Sequence, residues 1–207
     1  MADVALTPLG VMVLALLREG DMHPYEMMRL LRHRREDRMV RLTNGTFYHT
    51  VARLQRDGLI AEVGVDRDGN RPERTTYTLT DDGPAALEEW VRGHLGRTDG
   101  LQNFRVALGE AHNLSRAEAV VLLTSRRDGL AAEYAAMSAG LQDARGRGVL
   151  EQYLVELDRY TVILRADLDW TDALLARIAG DDFPWGGDDL APVNPVAVVA
   201  AREAVQQ

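Results

Sequence analysis

Between Thr43 and Leu79 the sequence TNGTFYHTVARLQRDGLIAEVGVDRDGNRPERTTYTL changes its hydrophobic period once, from helical to extended. That change restricts the fold more than any other stretch. Phe47, Val51 and Leu54 fall at i, i+4 and i+7, the buried stripe of a helix that Thr43 is placed to cap. Thr46, His49, Thr50, Arg53 and Arg56 are then expected to look outward. Gly58 supplies a left-handed stop. After it, 59–65 and 74–79 are rich in β-branched and aromatic residues, with Asp68-Gly69-Asn70 as the turn of a hairpin. A polar-faced helix followed at once by an arginine-bearing hairpin is the pattern of a winged helix, and it predicts a reader of DNA.

Two helices precede it. Thr7-Pro8 is an N-cap with proline at the first helical position, and Leu9, Met12, Val13, Leu16 and Leu17 follow as an apolar stripe ending near Gly20. His23-Pro24 repeats the start signal for a second helix. Tyr25, Met28 and Leu31 are expected on its buried side, and the charged run RHRRED closes it. The net charge of −8 opposes nucleic acid only as a sum. From 22 to 60 eight arginines stand against four acids, whereas the chain from Ser115 onward is acidic. Charge is therefore segregated as a nucleic-acid face requires.

Downstream, Leu87, Trp90, Val91 and Leu95 make the apolar side of a fourth helix, and the glycine-flanked stretch 96–100 is read as a domain boundary. A helix burying Phe104, Val106 and Leu108 follows. Ser115-Arg116-Ala117-Glu118 is a capping box opening a long helix with Leu123, Leu130, Tyr134, Met137 and Leu141 facing a core, broken at Gly146-Arg147-Gly148. Leu150, Leu154, Leu157, Thr161, Leu164, Leu168, Thr171, Leu175 and Ile178 then alternate spacings of four and three without a slip. Such a seam needs a partner, either a second chain or the Ser115 helix of its own chain. Two reading heads bind a palindrome far better than one, which favours Leu150, Leu154, Leu157, Leu164, Leu168 and Leu175 as a dimer interface. The expected architecture is mainly α with a small β-hairpin wing: a winged helix-turn-helix domain over 1–96, a helical dimerisation domain over 97–179, and a Gly/Pro/Asp-rich tail over 180–207.

The residue types suit direct readout. Asn44, Thr46, His49 and Thr50 sit at the start of the third helix, where base edges of a major groove come within reach. Tyr48 and Arg53 are expected on the sugar-phosphate backbone, with Arg67, Arg71 and Arg74 on the wing reaching phosphates or the minor groove. Trp90, Phe104, Tyr160 and Trp170 are either core or the lining of a pocket for a flat effector.

Four segments, LTPLGVMVLALL, MHPYEMMRLL, NGTFYHTVARLQRDGLI and RPERTTYTLTDDG, resemble in order and spacing the PadR family of bacterial transcriptional regulators, over roughly residues 6 to 95. Phe47 stands where that family usually has leucine, and Pro24 where many members have glycine. The resemblance implies a homodimeric winged-helix repressor released by a small aromatic or drug-like effector, partnered by a palindromic operator in double-stranded DNA.

Other classes find little support. There is no phosphate-binding glycine motif and no HExxH, and the five histidines lack metal-ligand spacing, so neither enzyme nor cofactor is expected. The absence of cysteine fits a reducing cytoplasm, and the apolar run 8–17 is too short to span a bilayer. The serious rival is a winged helix that binds another protein and no DNA.

Overall fold

The first helix, α1 (Pro8–Glu19), sits at the centre of the computed structural model, which describes residues 6–66, 74–180 and 182–186. Thr7 Oγ1 accepts from the Gly10 amide at 3.2 Å, and Pro8 occupies a position whose amide would have no helical partner. The expected stripe is buried, and so are Val11 and Leu14, because helices and the hairpin pack around α1 on several sides. The second helix, α2 (Pro24–His33), buries Met27, Met28 and Leu31. Tyr25 was expected beside Met28 and Leu31, but it is 65% exposed. At 100° per residue it lies about 115° around the helix from the centre of that stripe.

The third helix, α3 (Asn44–Arg56), opens with a reciprocal box in which Thr43 Oγ1 accepts from the Thr46 amide and Thr46 Oγ1 accepts from the Thr43 amide. Phe47, Val51 and Leu54 are buried as the spacing predicts. Gly58 ends it at φ +75°, with its amide bonding Gln55 O and the Leu59 amide bonding Leu54 O, both at 3.0 Å. Those two bonds are a Schellman closure, and the positive φ is why glycine stands there.

The chain then forms β1 (Ile60–Asp66) and β2 (Arg74–Leu79), paired antiparallel with Ile60 opposite Leu79 and one irregularity between Glu62 and Gly64. Met22 pairs with Tyr77 through two backbone bonds of 3.1 Å, pinning the hairpin to the loop before α2. The fourth helix, α4 (Asp82–Leu95), starts against this base. A Cβ on Gly83 would lie 2.7 Å from Leu59 O, so only glycine fits the approach. Leu87, Trp90, Val91 and Leu95 are all buried.

Past residue 96 the core continues. Phe104, Val106 and Ala107 of α5 (Leu101–Gly109), Ala119 and Leu123 of α6 (Arg116–Gly146) and Ile178 of α7 (Val155–Ile178) join the cluster built on α1. The remainder of α6 and α7 leaves this body as an antiparallel arm with two small apolar clusters, Leu130 with Leu164 and Leu168, and Leu141 and Ala144 with Leu154.

The arm corrects the seam. Leu154, Leu164 and Leu168 are buried on α6 of the same chain, Leu157 packs beside Leu154, and Leu175 packs against the body core. A single stripe covers a single neighbour, and the long helix that precedes it already supplies one. Leu150 lies before a 3-10 turn (Glu151–Tyr153), outside α7, and is 62% exposed. The stretch left open on α7 carries Val155, Val162, Ile163 and Trp170. At the C-terminal end, Trp185 is buried and donates its indole N–H to Leu114 O at 2.8 Å, while Arg116 Nη2 donates to Phe183 O at 2.6 Å. This returns 182–186 to the start of α6.

Candidate nucleic-acid interface

On α3 the exposed row is Asn44, Gly45, Tyr48, His49, Ala52 and Arg56, opposite the buried Phe47–Val51–Leu54 stripe. Asn44, Tyr48 and His49 therefore stand where the sequence places them. Thr46 is exposed, but its hydroxyl is committed to the cap. Thr50 is only 7% exposed and gives its hydroxyl to Thr46 O at 2.8 Å, which removes it from an outward reading face. It lies 100° from Val51, close enough to the apolar stripe to be drawn in, and the bond to the preceding turn satisfies its only donor. Arg53 turns back and donates to Thr7 Oγ1 at 3.0 Å, so its guanidinium serves the fold. Arg67 and Arg71 lie outside the described residues, and of Arg74 only the backbone, opposite Asp66, is described.

A cleft of about 790 Å³ runs beside this row. One wall is the first turns of α2 with Tyr25, Glu26 and Arg29; the other is Tyr48, Val51 and Ala52 of α3; the wing closes it with Thr75 and Tyr77. Tyr48 is 48% exposed, so two tyrosine rings and a guanidinium face water across one opening. The wing is held at this angle by side chains as well as backbone. His23 Nδ1 lies 3.1 Å from Thr75 O, which requires the proton on that nitrogen. Gln55 donates to Glu62 at 2.9 Å, and burial with the Glu62 carboxylate beside it pushes the Tyr77 phenol above its ordinary pKa. Sequence reasoning missed Tyr25 and Arg29. The signal was available in α2, since Met27, Met28 and Leu31 fix a stripe that leaves both outside it.

Exposed arginines fill the segment that leads into the row. Arg29, Arg32, Arg35, Arg38 and Arg41 are all solvent-exposed, and Arg32 Nη2 reaches Asn44 Oδ1 at 3.5 Å. Arg35 takes φ 54°, the left-handed conformation that turns the chain at the end of α2. Arg34 differs, since it is spent on Glu19 through two bonds of 2.5 and 2.6 Å. The exposed set gives a positive surface on a chain of net charge −8.

The four residues expected around an effector are dispersed. Trp90 is core, with its N–H on Leu6 O at 3.1 Å and its ring stacked on His94. Phe104 is core beneath Arg126, Tyr160 donates to Glu133 along the arm, and Trp170 is 44% exposed on α7. None of them lines the cleft. Among the described residues, no group of three or more His, Asp or Glu is placed to hold a metal, and no helix is long and apolar enough to cross a membrane.

Three helices, a helix-turn-helix crossing between α2 and α3, and a hairpin bridged back to the loop before α2 define a winged helix-turn-helix protein. Residues 13–89 match the model of the transcriptional regulator PadR-like family. Among solved structures the chain is similar to Bacillus subtilis PadR in complex with operator DNA, at 22% identity and a TM-score of 0.41 over 83% of this chain and 99% of that one. It is also similar to the same protein in complex with p-coumaric acid (21% identity, TM-score 0.37, 84% and 100% covered). A third is smu.1604c from Streptococcus mutans UA159 (17% identity, TM-score 0.39, 81% and 98% covered). No curated protein matches the chain.

Proposed function

We propose that this chain is a sequence-specific DNA-binding repressor that acts as a homodimer in the cytoplasm and responds to a small aromatic effector. One observation carries the DNA reading. Asn44, Tyr48 and His49, exposed at the reading end of α3, are polar, and they adjoin a cleft walled by Tyr25 and Arg29 and a set of unburied arginines, one of which, Arg32, reaches Asn44. Asparagine and histidine pair with base edges in a major groove, whereas Arg29 and the tyrosine hydroxyls suit phosphate oxygens. The wing would follow the adjacent minor groove. A single such head neutralises few phosphates, so useful affinity at physiological salt asks for two.

The second copy docks on the exposed row of α7, where Val155, Val162, Ile163 and Trp170 face water, and not on the leucine seam. An effector that stacks on an aromatic ring would find Trp170 accessible there, while Trp90 and Phe104 are enclosed. Fluorescence anisotropy on the DNA upstream of the chain's own gene, at two salt concentrations and against a scrambled duplex, tests the reading. Selective binding whose log affinity falls with log salt at a slope near −5, about six phosphate contacts, is expected. Weak binding equal on both duplexes would sink it and leave a winged helix that recognises another protein.

A further inference from the structure

Body and arm meet at a polar layer. On α6 the last side chain of the body core is Leu123 and the first buried in the arm is Leu130; on α7 the change comes between Leu174 and Leu168. Arg126, Asp167 and Thr171 fill the gap. Arg126 is 1% exposed, and its guanidinium carbon lies 3.5 Å from the centroid of the Phe104 ring. It donates through Nη1 to the carbonyl of Arg97 and through Nη2 to Asp167 Oδ2 at 2.5 Å, while its buried Nε has no partner. Thr171, fully buried, gives its hydroxyl to Asp167 O at 2.7 Å. One guanidinium thus touches α5, the turn before it and α7 from its seat on α6.

For stability alone the arrangement is expensive. A well-packed apolar residue in place of a buried ion pair is often neutral or stabilising, because desolvation of the charge offsets its attraction. What the pair adds is direction: an apolar layer tolerates sliding, whereas a guanidinium between a carboxylate and a carbonyl accepts one geometry. Leverage makes that geometry matter. The twenty steps along α6 from Arg126 to Gly146 span about 30 Å at 1.5 Å per residue, so a tilt of 10° at this layer moves the arm tip by roughly 5 Å, more than one base-pair step.

We infer that Arg126, held by Asp167, is a positioning residue that fixes the angle between arm and body, and through it the separation of the two reading helices, making it a determinant of operator half-site spacing. This rests on the homodimeric DNA-binding reading above. Half-sites one helical turn apart sit about 34 Å centre to centre, and a dimer selects that distance only if its arms are rigid.

The chain has no cysteine, which makes site-directed spin labelling direct. Asp21→Cys on the body and Gln152→Cys at the arm tip, both at exposed positions, report the angle as a distance when labelled protein is diluted with unlabelled chain. A single narrow distance is expected with Arg126 in place. Arg126→Met should broaden it or move it by several ångströms, and Arg126→Lys should recover part of the narrow form. In parallel, duplexes whose half-sites are moved apart in one-base-pair steps should show a preference of about tenfold or more for one spacing. That preference should collapse to about twofold in Arg126→Met and in Asp167→Asn, with dimer mass and helix content kept. Asp167→Asn keeps the shape of the side chain and an oxygen that accepts from the guanidinium, so it removes the charge without opening a cavity, and its retained helix content separates loss of direction from loss of fold. Unchanged distance and unchanged spacing preference would overturn the inference. Failure of the wild-type chain to bind any duplex would overturn the operator half together with the functional reading, while the label distances still decide the arm angle.

Discussion

Arg53 donates from Nη2 to Thr7 Oγ1 at 3.0 Å, and the same oxygen accepts the Gly10 amide that opens α1. The third helix is thereby tied to the cap of the central one. Arg53→Met should cost about 1 kcal/mol, the net worth of one such bond, and lower the melting temperature by several degrees. It should leave the salt dependence of DNA binding untouched, because this guanidinium is not on the outer face. A salt slope reduced by about one would show instead that Arg53 reaches a phosphate.

The outward residues separate by readout. His49→Ala should weaken the preferred operator by about 1–3 kcal/mol while flattening the preference among base substitutions. Arg29→Ala should weaken all duplexes alike and reduce the salt slope by about one, since a guanidinium in the cleft meets phosphate regardless of sequence. Thr50→Val, which removes a hydroxyl already bonded within the helix, should change neither quantity. Anisotropy titrations with a set of single-substituted duplexes distinguish the three.

Much of this was legible in the sequence. The capped starts at Thr7 and Thr43, the glycine stop at Gly58 and the two strands of the hairpin follow from local chemistry, which the chain carries within a few residues of each feature, while the Asp68-Gly69-Asn70 turn lies outside the described residues. Periodicity gave the buried faces of α3 and α4 for the same reason. Partner choice was not local. Nothing in the spacing of Leu154, Leu164 and Leu168 says which neighbour they meet, and only the fold of α7 back along α6 decides it. Thr50 and Arg53 were misjudged because their polar atoms are satisfied by Thr46 and Thr7, contacts invisible to a pattern of outward positions. Arg126 escaped altogether, as a charged residue on a long helix reads as solvated until Phe104, Arg97 and Asp167 are brought around it.

Glu110, at the end of α5, lies among Glu36, Glu19 and Arg34, where burial first and the Glu36 carboxylate second raise its pKa from 4.5 to about 7, against a lowering bond from Asn113. The folded chain therefore holds this proton more tightly than the unfolded one. The corresponding stability is full below pH 4.5 and is lost as pH rises through about 7. Glu110→Gln, which keeps the shape of the protonated acid, should be more stable than wild type at pH 8 by on the order of 2 kcal/mol, with the gap closing toward pH 5. Denaturant midpoints of the two proteins at pH 5, 6.5 and 8 measure it. A constant difference across that range would mean that Glu110 is ionised in the folded chain throughout.

Leu164 is 4% exposed inside the arm, whereas its neighbours Val162 and Ile163 are 63% and 42% exposed. Adjacent positions on a helix point about 100° apart, so consecutive residues report on different surfaces of one element. Leu164→Asp buries a carboxylate between α6 and α7 and should unfold the arm, with loss of helical signal and a cost of several kcal/mol. Val162→Asp with Ile163→Asp leaves the arm intact and should convert a dimer into a folded monomer that binds the operator at least tenfold more weakly. Light scattering beside circular dichroism separates the outcomes. Should the double variant remain a dimer, the copies meet on a surface other than α7, and the arm's role in spacing two reading heads would have to pass through that surface instead.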